Sequence, residues 1–219
     1  MVELEPTMIY ASQMRQACAR LKAALRFHHA YETDREVPSL DAAVLQIRKA
    51  LELIAFAAVA PDKEAFAKLR ATDDGGDFTR DYHARRILTA LGTVFPDFYP
   101  LALTEPVEKD GVIEFGRKEN RGYLTRSRFE KVYDRLGKHL HAENPWGADP
   151  NLQNLAKDMP GLVEEIYQLL DLHARFIKSP TFFGAWVVRV DRNGGPPQLI
   201  QAGANGDFVD TMRKPNAKG

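Results

Sequence analysis

Along most of this chain, apolar residues recur at helical rather than strand spacing. Residues 8–32 carry Met14, Ala17, Cys18, Leu21, Ala24, Leu25 and His28 on one face, the rhythm of a helix turned toward a core. A second helix begins at Pro38 and Ser39, and Leu40, Val44, Ile47, Leu51, Ile54 and Ala58 repeat in a 4-3 pattern that predicts packing along its length. Its stretch ALELIAFAAVA, residues 50–60, holds Glu52 as the only charge and reads as the central helix of the fold. The TDREVP turn between the two is short, so they pair antiparallel. A third helix over 79–94 carries Tyr82, Arg85, Arg86, Ile87, Leu88 and Leu91 and is stopped by Pro96.

The rhythm then breaks. Prolines 96, 100 and 106 and glycines 111, 116 and 122 predict a long irregular insertion over 96–125, with VIEF at 112–115 as a short strand. Helical spacing returns over 127–142 through Phe129, Val132, Tyr133, Leu136 and Leu140. Asp149 and Pro150 read as the start of a further helix, interrupted at Pro160 and Gly161 and resumed to about residue 177, with Leu162, Ile166, Leu169, His173 and Phe176 inward. Next come FFGAWVVRVD, the turn RNGGPP and QLIQAGA, a β-hairpin with Trp186 and Val188 on one face, and a polar tail after Asp207 that is expected to fray. The fold class is mainly α: a helical bundle over 1–178 containing the irregular insertion, and a β-hairpin extension with a flexible tail over 179–219.

Composition narrows the functions. At 219 residues with 44% apolar and 27% charged side chains, the chain is ordinary globular material. Thirty basic and thirty acidic residues cancel, so contact with nucleic acid requires a local patch rather than a global field. The single cysteine, Cys18, excludes an internal disulfide, and no cysteine cluster is present to hold zinc or an iron–sulfur centre. No metal or cofactor is expected. The acidic start MVELEPTMIY has no signal-peptide character and no apolar run reaches bilayer length, which predicts a cytoplasmic protein without a membrane partner. The phosphate-cradling patterns GxxxxGK and GxGxxG and the nucleophile pattern GxSxG are absent.

Most chemistry-bearing residues have a structural reading. Arg48 and Glu52 are i, i+4 neighbours and read as a local ion pair, and His173 reads as a hydrogen-bonded core histidine. Adjacent on a helix, His28 and His29 diverge by about 100° and make a poor chelating pair. The aspartates of ATDDGGD, residues 71–77, lack the spacing of a calcium loop and serve turns and caps.

The exception is helix 127–142. With the apolar stripe at zero and about 100° per residue, Arg128, Arg135 and His139 fall about 80–120° to one side and His141 about 120° to the other. Arg135 and His139 are therefore true i, i+4 neighbours. Arg135 meets His141 only if the helix loosens at its end, which Gly137 and Asn144 before Pro145 favour, or if a second subunit completes the site. His141 would then lie in the last turn, where the helix dipole favours the imidazolium, and beside an arginine it can stabilise and protonate a phosphate transition state without a metal. Arg117, Lys118, Arg121, Arg126 and Arg128 lead into this helix and, with Lys138, form the candidate RNA-binding track. A purely structural role would pair Arg135 with Asp134 or Glu130 on the solvent face and leave His141 on the helix dipole.

An all-helical bundle with an arginine, five intervening residues and a histidine late in a helix resembles the HEPN superfamily, over roughly residues 8–178. The resemblance implies a homodimer with the late helices facing each other and a metal-independent ribonuclease of toxin–antitoxin or antiviral defence type, with Arg135 and His141 as the catalytic motif. This chain departs from the pattern after the arginine, where active members often carry a polar residue and Leu136 stands instead. That departure keeps a noncatalytic helical module, binding a protein or nucleic-acid partner, as the alternative. A third reading places Glu52 with His28 or His83 in an interhelical pocket of a small-molecule or metal enzyme.

Overall fold

Proline at the first turn of a helix sacrifices no hydrogen bond, and Pro6 opens α1, Pro6–Asp34, in that position. The helix stops at Arg35, whose left-handed backbone (φ 58°) lets its N–H reach the Tyr31 carbonyl at 2.8 Å. The Asp34 carboxylate then accepts from the Glu36 N–H at 2.8 Å and the Ser39 hydroxyl at 3.2 Å, clamping a two-residue connection into α2, Val37–Val59. So short a link makes α1 and α2 an antiparallel pair, as their spacing predicts. Tyr10, Met14 and Leu21 of α1 meet Leu40, Ile47, Leu51 and Ile54 of α2 in a fully buried core. The computed structural model describes residues 5–73, 76–119, 122–141, 146, 151–179 and 182–204.

A 3-10 turn, Ala60–Asp62, leads into α3, Lys63–Asp73. The helix expected over 79–94 is shorter. Asp77 caps a 3-10 turn at Phe78–Arg80, and α4 runs only from Ala84 to Val94, leaving Tyr82 exposed before it. Asp74 of the aspartate loop lies outside the described residues.

Residues 96–125 contain more order than an irregular connection. Leu101–Ala102 forms β1, and Val107–Lys109 (β2) pairs with Val112–Glu114 (β3) in a small antiparallel hairpin, so the predicted VIEF strand is present. An isolated bridge, Leu103 to Arg117, ties the base of this hairpin together.

After α5, Arg126–His139, and α6, Leu152–Leu170, come β4, Leu172–Lys178, β5, Phe183–Arg189, and β6, Gln198–Gly203. The strands form one antiparallel sheet in the order β1-β4-β5-β6. Two expectations are corrected here. The last helix does not run to 177: it ends at Leu170, and His173 and Phe176 lie on β4. Nor do Pro160 and Gly161 interrupt it, because α6 continues through both. The run LHARFIK is apolar enough for a buried helix or a buried strand, and pairing with β1 on one side and β5 on the other selects the strand. Asp149 and Pro150 lie outside the described residues, as do Asn144, Pro145 and the tail after Asp207. The N-cap of α6 is Asn151, whose side chain accepts from the Asn154 N–H.

The predicted C-terminal hairpin is β5–β6, with Trp186 and Val188 buried together. Trp186 packs edge-on against Tyr10 of α1, ring centroids 5.7 Å apart. Arg175 of β4 is fully buried, ion-paired to Asp62 just beyond α2 and lying 5.5 Å over the Phe95 ring. The position 178/179 therefore falls between two hydrogen-bonded strands whose inner face shares the helical core. Among the described residues no helix is long and apolar enough to cross a membrane.

Candidate functional site at the end of α5

The Thr125 hydroxyl accepts from the Arg128 N–H and starts α5. Phe129, Val132, Tyr133 and Leu136 then bury one face and aim the polar residues outward. The helix stays regular through Gly137 to His139, and the Leu140 N–H closes its last turn on the Gly137 carbonyl at 3.3 Å. Gly137 is therefore not a point of loosening. A β-carbon there would stand 2.5 Å from Nη1 of Arg48. That guanidinium lies 3.9 Å over the Tyr133 ring, donates to the Tyr133 carbonyl at 3.1 Å and pairs with Glu52 at 3.4 Å. The Tyr133 hydroxyl in turn donates to Glu52 at 3.0 Å. Glycine is the residue that leaves Arg48 this room.

Arg135 is half exposed, and its Nη1 donates to Asp158 of α6 at 2.8 Å. Its ion partner is thus neither Asp134, which pairs with Arg85, nor Glu130, which pairs with Arg126. His139 lies one turn further along the helix. Burial, then the positive charge of Arg135, hold its pKa below the ordinary histidine range, with Asp41 of α2 acting in the opposite sense. The Nδ1 atom of His139 is buried without a hydrogen-bond partner. His141 is exposed beyond the helix end, and among the described residues no hydrogen bond or ion pair joins it to Arg135. The structure thus brings Arg135 and His139 together and does not bring in His141.

Two arginines of the basic track, Arg126 and Arg128, have carboxylate partners within the chain. Arg128 forms a bidentate pair with Glu165, which raises its pKa, and Lys118 donates to the Gln168 carbonyl and side chain at 3.1 and 2.9 Å. Arg126 lies 4.8 Å over the Phe98 ring, 3.9 Å from Glu130. Arg117 holds the hairpin base through its backbone, Lys138 is exposed, and Arg121 lies outside the described residues. Between α5 and α6 runs a groove of about 100 Å³, floored by Leu136, Leu155 and Met159 and rimmed by Arg128, Lys131 and Arg135.

Asp158, Glu165 and Asp41 were not legible as site residues. Asp158 stands 23 positions from Arg135, and no local spacing links them. For the metal-enzyme reading, His83 and Glu52 both border Tyr133, but His28 faces α6 instead, donating to the Ala156 carbonyl. Among the described residues no three His, Cys, Asp or Glu side chains gather as a metal site. Comparison with family models, curated proteins and solved structures finds no match to this chain.

Proposed function

We propose that this chain is a metal-independent endoribonuclease acting in the cytoplasm as a homodimer, of the toxin or antiviral type implied by the HEPN resemblance. The observation that carries the reading is the juxtaposition of Arg135 with His139, an arginine beside an imidazole held in its neutral form. Neutral imidazole accepts the proton of a ribose 2′-hydroxyl as that oxygen attacks the adjacent phosphorus. The Arg135 guanidinium stabilises the charge that develops on the phosphoryl oxygens, and the departing 5′-oxygen takes its proton from a His141 that a second subunit brings to the site, since within one copy His141 does not join Arg135. The 2′-oxygen–phosphorus bond forms, the phosphorus–5′-oxygen bond breaks, and the products are a 2′,3′-cyclic phosphate and a 5′-hydroxyl. Phosphate must displace Asp158 to reach Arg135.

The test incubates wild type, Arg135→Ala, His139→Ala and His141→Ala with mixed cellular RNA in excess EDTA, once circular dichroism has established that each is folded. Wild type is expected to leave cyclic phosphate ends, with each variant slower by about 100-fold or more. Equal cleavage by wild type and variants, or none by wild type well above contaminant levels, defeats the proposal.

A specific observation favours a second reading. Glu165 and Asp158 already occupy Arg128 and Arg135, the two arginines on the groove rim, which suits a noncatalytic helical module that binds a protein partner. Under that reading RNA is neither cut nor bound.

A further inference from the structure

The β2–β3 hairpin and the α5–α6 groove are both open to solvent, and their chemistries match. All six residues of β2 and β3 are exposed. Opposed residues of an antiparallel pair share a face, so the register Glu108↔Ile113 places a carboxylate beside an isoleucine that is 62% exposed. Asp110 (φ 53°) and Gly111 (φ 77°) supply the two left-handed residues that a tight two-residue hairpin turn demands. The arm is thus preformed, and exposed aliphatic side chains on an open strand pair mark a surface for association.

The groove offers the complement. Its volume of about 100 Å³, between Leu136 and Leu155, has room for one aliphatic side chain. On its rim Arg128 and Arg135 have carboxylate partners. Lys131, between them, is exposed and has no carboxylate at ion-pair distance among the described residues.

We propose that the arm of one copy docks in the α5–α6 groove of a second copy, with Ile113 in the pocket and Glu108 against Lys131, in a reciprocal two-fold exchange. A second copy is the fitting occupant because the arm, with Glu108, Asp110 and Glu114 against Lys109, is net acidic where the free rim cation is basic. The arm's base and the groove rim are both tied to α6. Lys118 at the arm's base is held by Gln168, one turn along α6 from Glu165, the partner of Arg128 on the groove rim. The inference rests on the homodimer proposed above, though not on its ribonuclease chemistry, and a dimer that survives Ile113→Asp defeats the arm alone.

Sedimentation velocity over a concentration series tests it on the full chain. Wild type is expected to dimerise, and Ile113→Asp and Lys131→Glu, each at an exposed position, to weaken the dimer by about tenfold or more. Combining Glu108→Lys with Lys131→Glu should restore dimerisation relative to Lys131→Glu alone. A wild type that stays monomeric up to about 100 μM overturns the proposal. So does a dimer unaffected by Ile113→Asp, and one lost only in Lys131→Glu assigns the interface to α5 without the arm.

Discussion

His28 of α1 donates from Nε2 to the carbonyl of Ala156 in α6 at 2.9 Å. In a regular helix the partner of that carbonyl is the N–H four residues on, and that position is Pro160, which has none. The histidine therefore satisfies the acceptor that the proline orphans, and α6 passes through Pro160 unbroken. Replacing His28 with Ala should cost about 1–2 kcal/mol, while the same change in a Pro160→Ala background should cost markedly less, because the introduced alanine supplies the missing donor. Urea denaturation of the four proteins in this cycle measures the difference; additive effects would show that the two residues are not coupled.

Gly137→Ala reverses the usual sign for a helical glycine. Alanine normally gains about 1 kcal/mol in a helix interior, but here its β-carbon meets the Arg48 guanidinium held between Tyr133 and Glu52. The substitution is expected to destabilise the wild type and to stabilise Arg48→Ala by about 1 kcal/mol, read from chemical denaturation.

Asp158→Asn separates the two functional readings. It frees Arg135 while preserving shape, so the ribonuclease should bind and cut RNA up to roughly fivefold better, in line with losing a surface ion pair. No change in cleavage or RNA binding would mean that Arg135 does not meet phosphate.

His173 makes the fold acid-sensitive. It is fully buried, with Nδ1 donating to the Leu170 carbonyl at 2.9 Å and Nε2 accepting from the Tyr10 hydroxyl at 2.8 Å. Burial pushes its pKa down to about 4. Because the folded value is depressed, its contribution is complete above the unfolded value of about 6.5 and is lost as pH falls toward 4. The expected loss over that window is about 3 kcal/mol. Stability measured across pH, with the His173 ring proton followed by NMR, checks this; titration near 6.5 in the folded state would rule it out.

Local periodicity by itself determined the paired α1 and α2, the buried face of α5, the β5–β6 hairpin and the mainly α class, because each rests on neighbours three, four or two positions apart. The i, i+4 relation of Arg135 and His139 is legible for the same reason. Only the tertiary structure decided that 172–178 is a strand, since its hydrogen-bond partners lie on β1 and β5 rather than in the segment itself. The same holds for Asp158 opposite Arg135, Glu165 opposite Arg128 and His28 beneath Pro160. The hydrogen bonds behind these meetings, from Arg135–Asp158 to His28 and the Ala156 carbonyl, join groups 23 to 128 positions apart and are set by how helices pack, which no local repeat in the chain encodes.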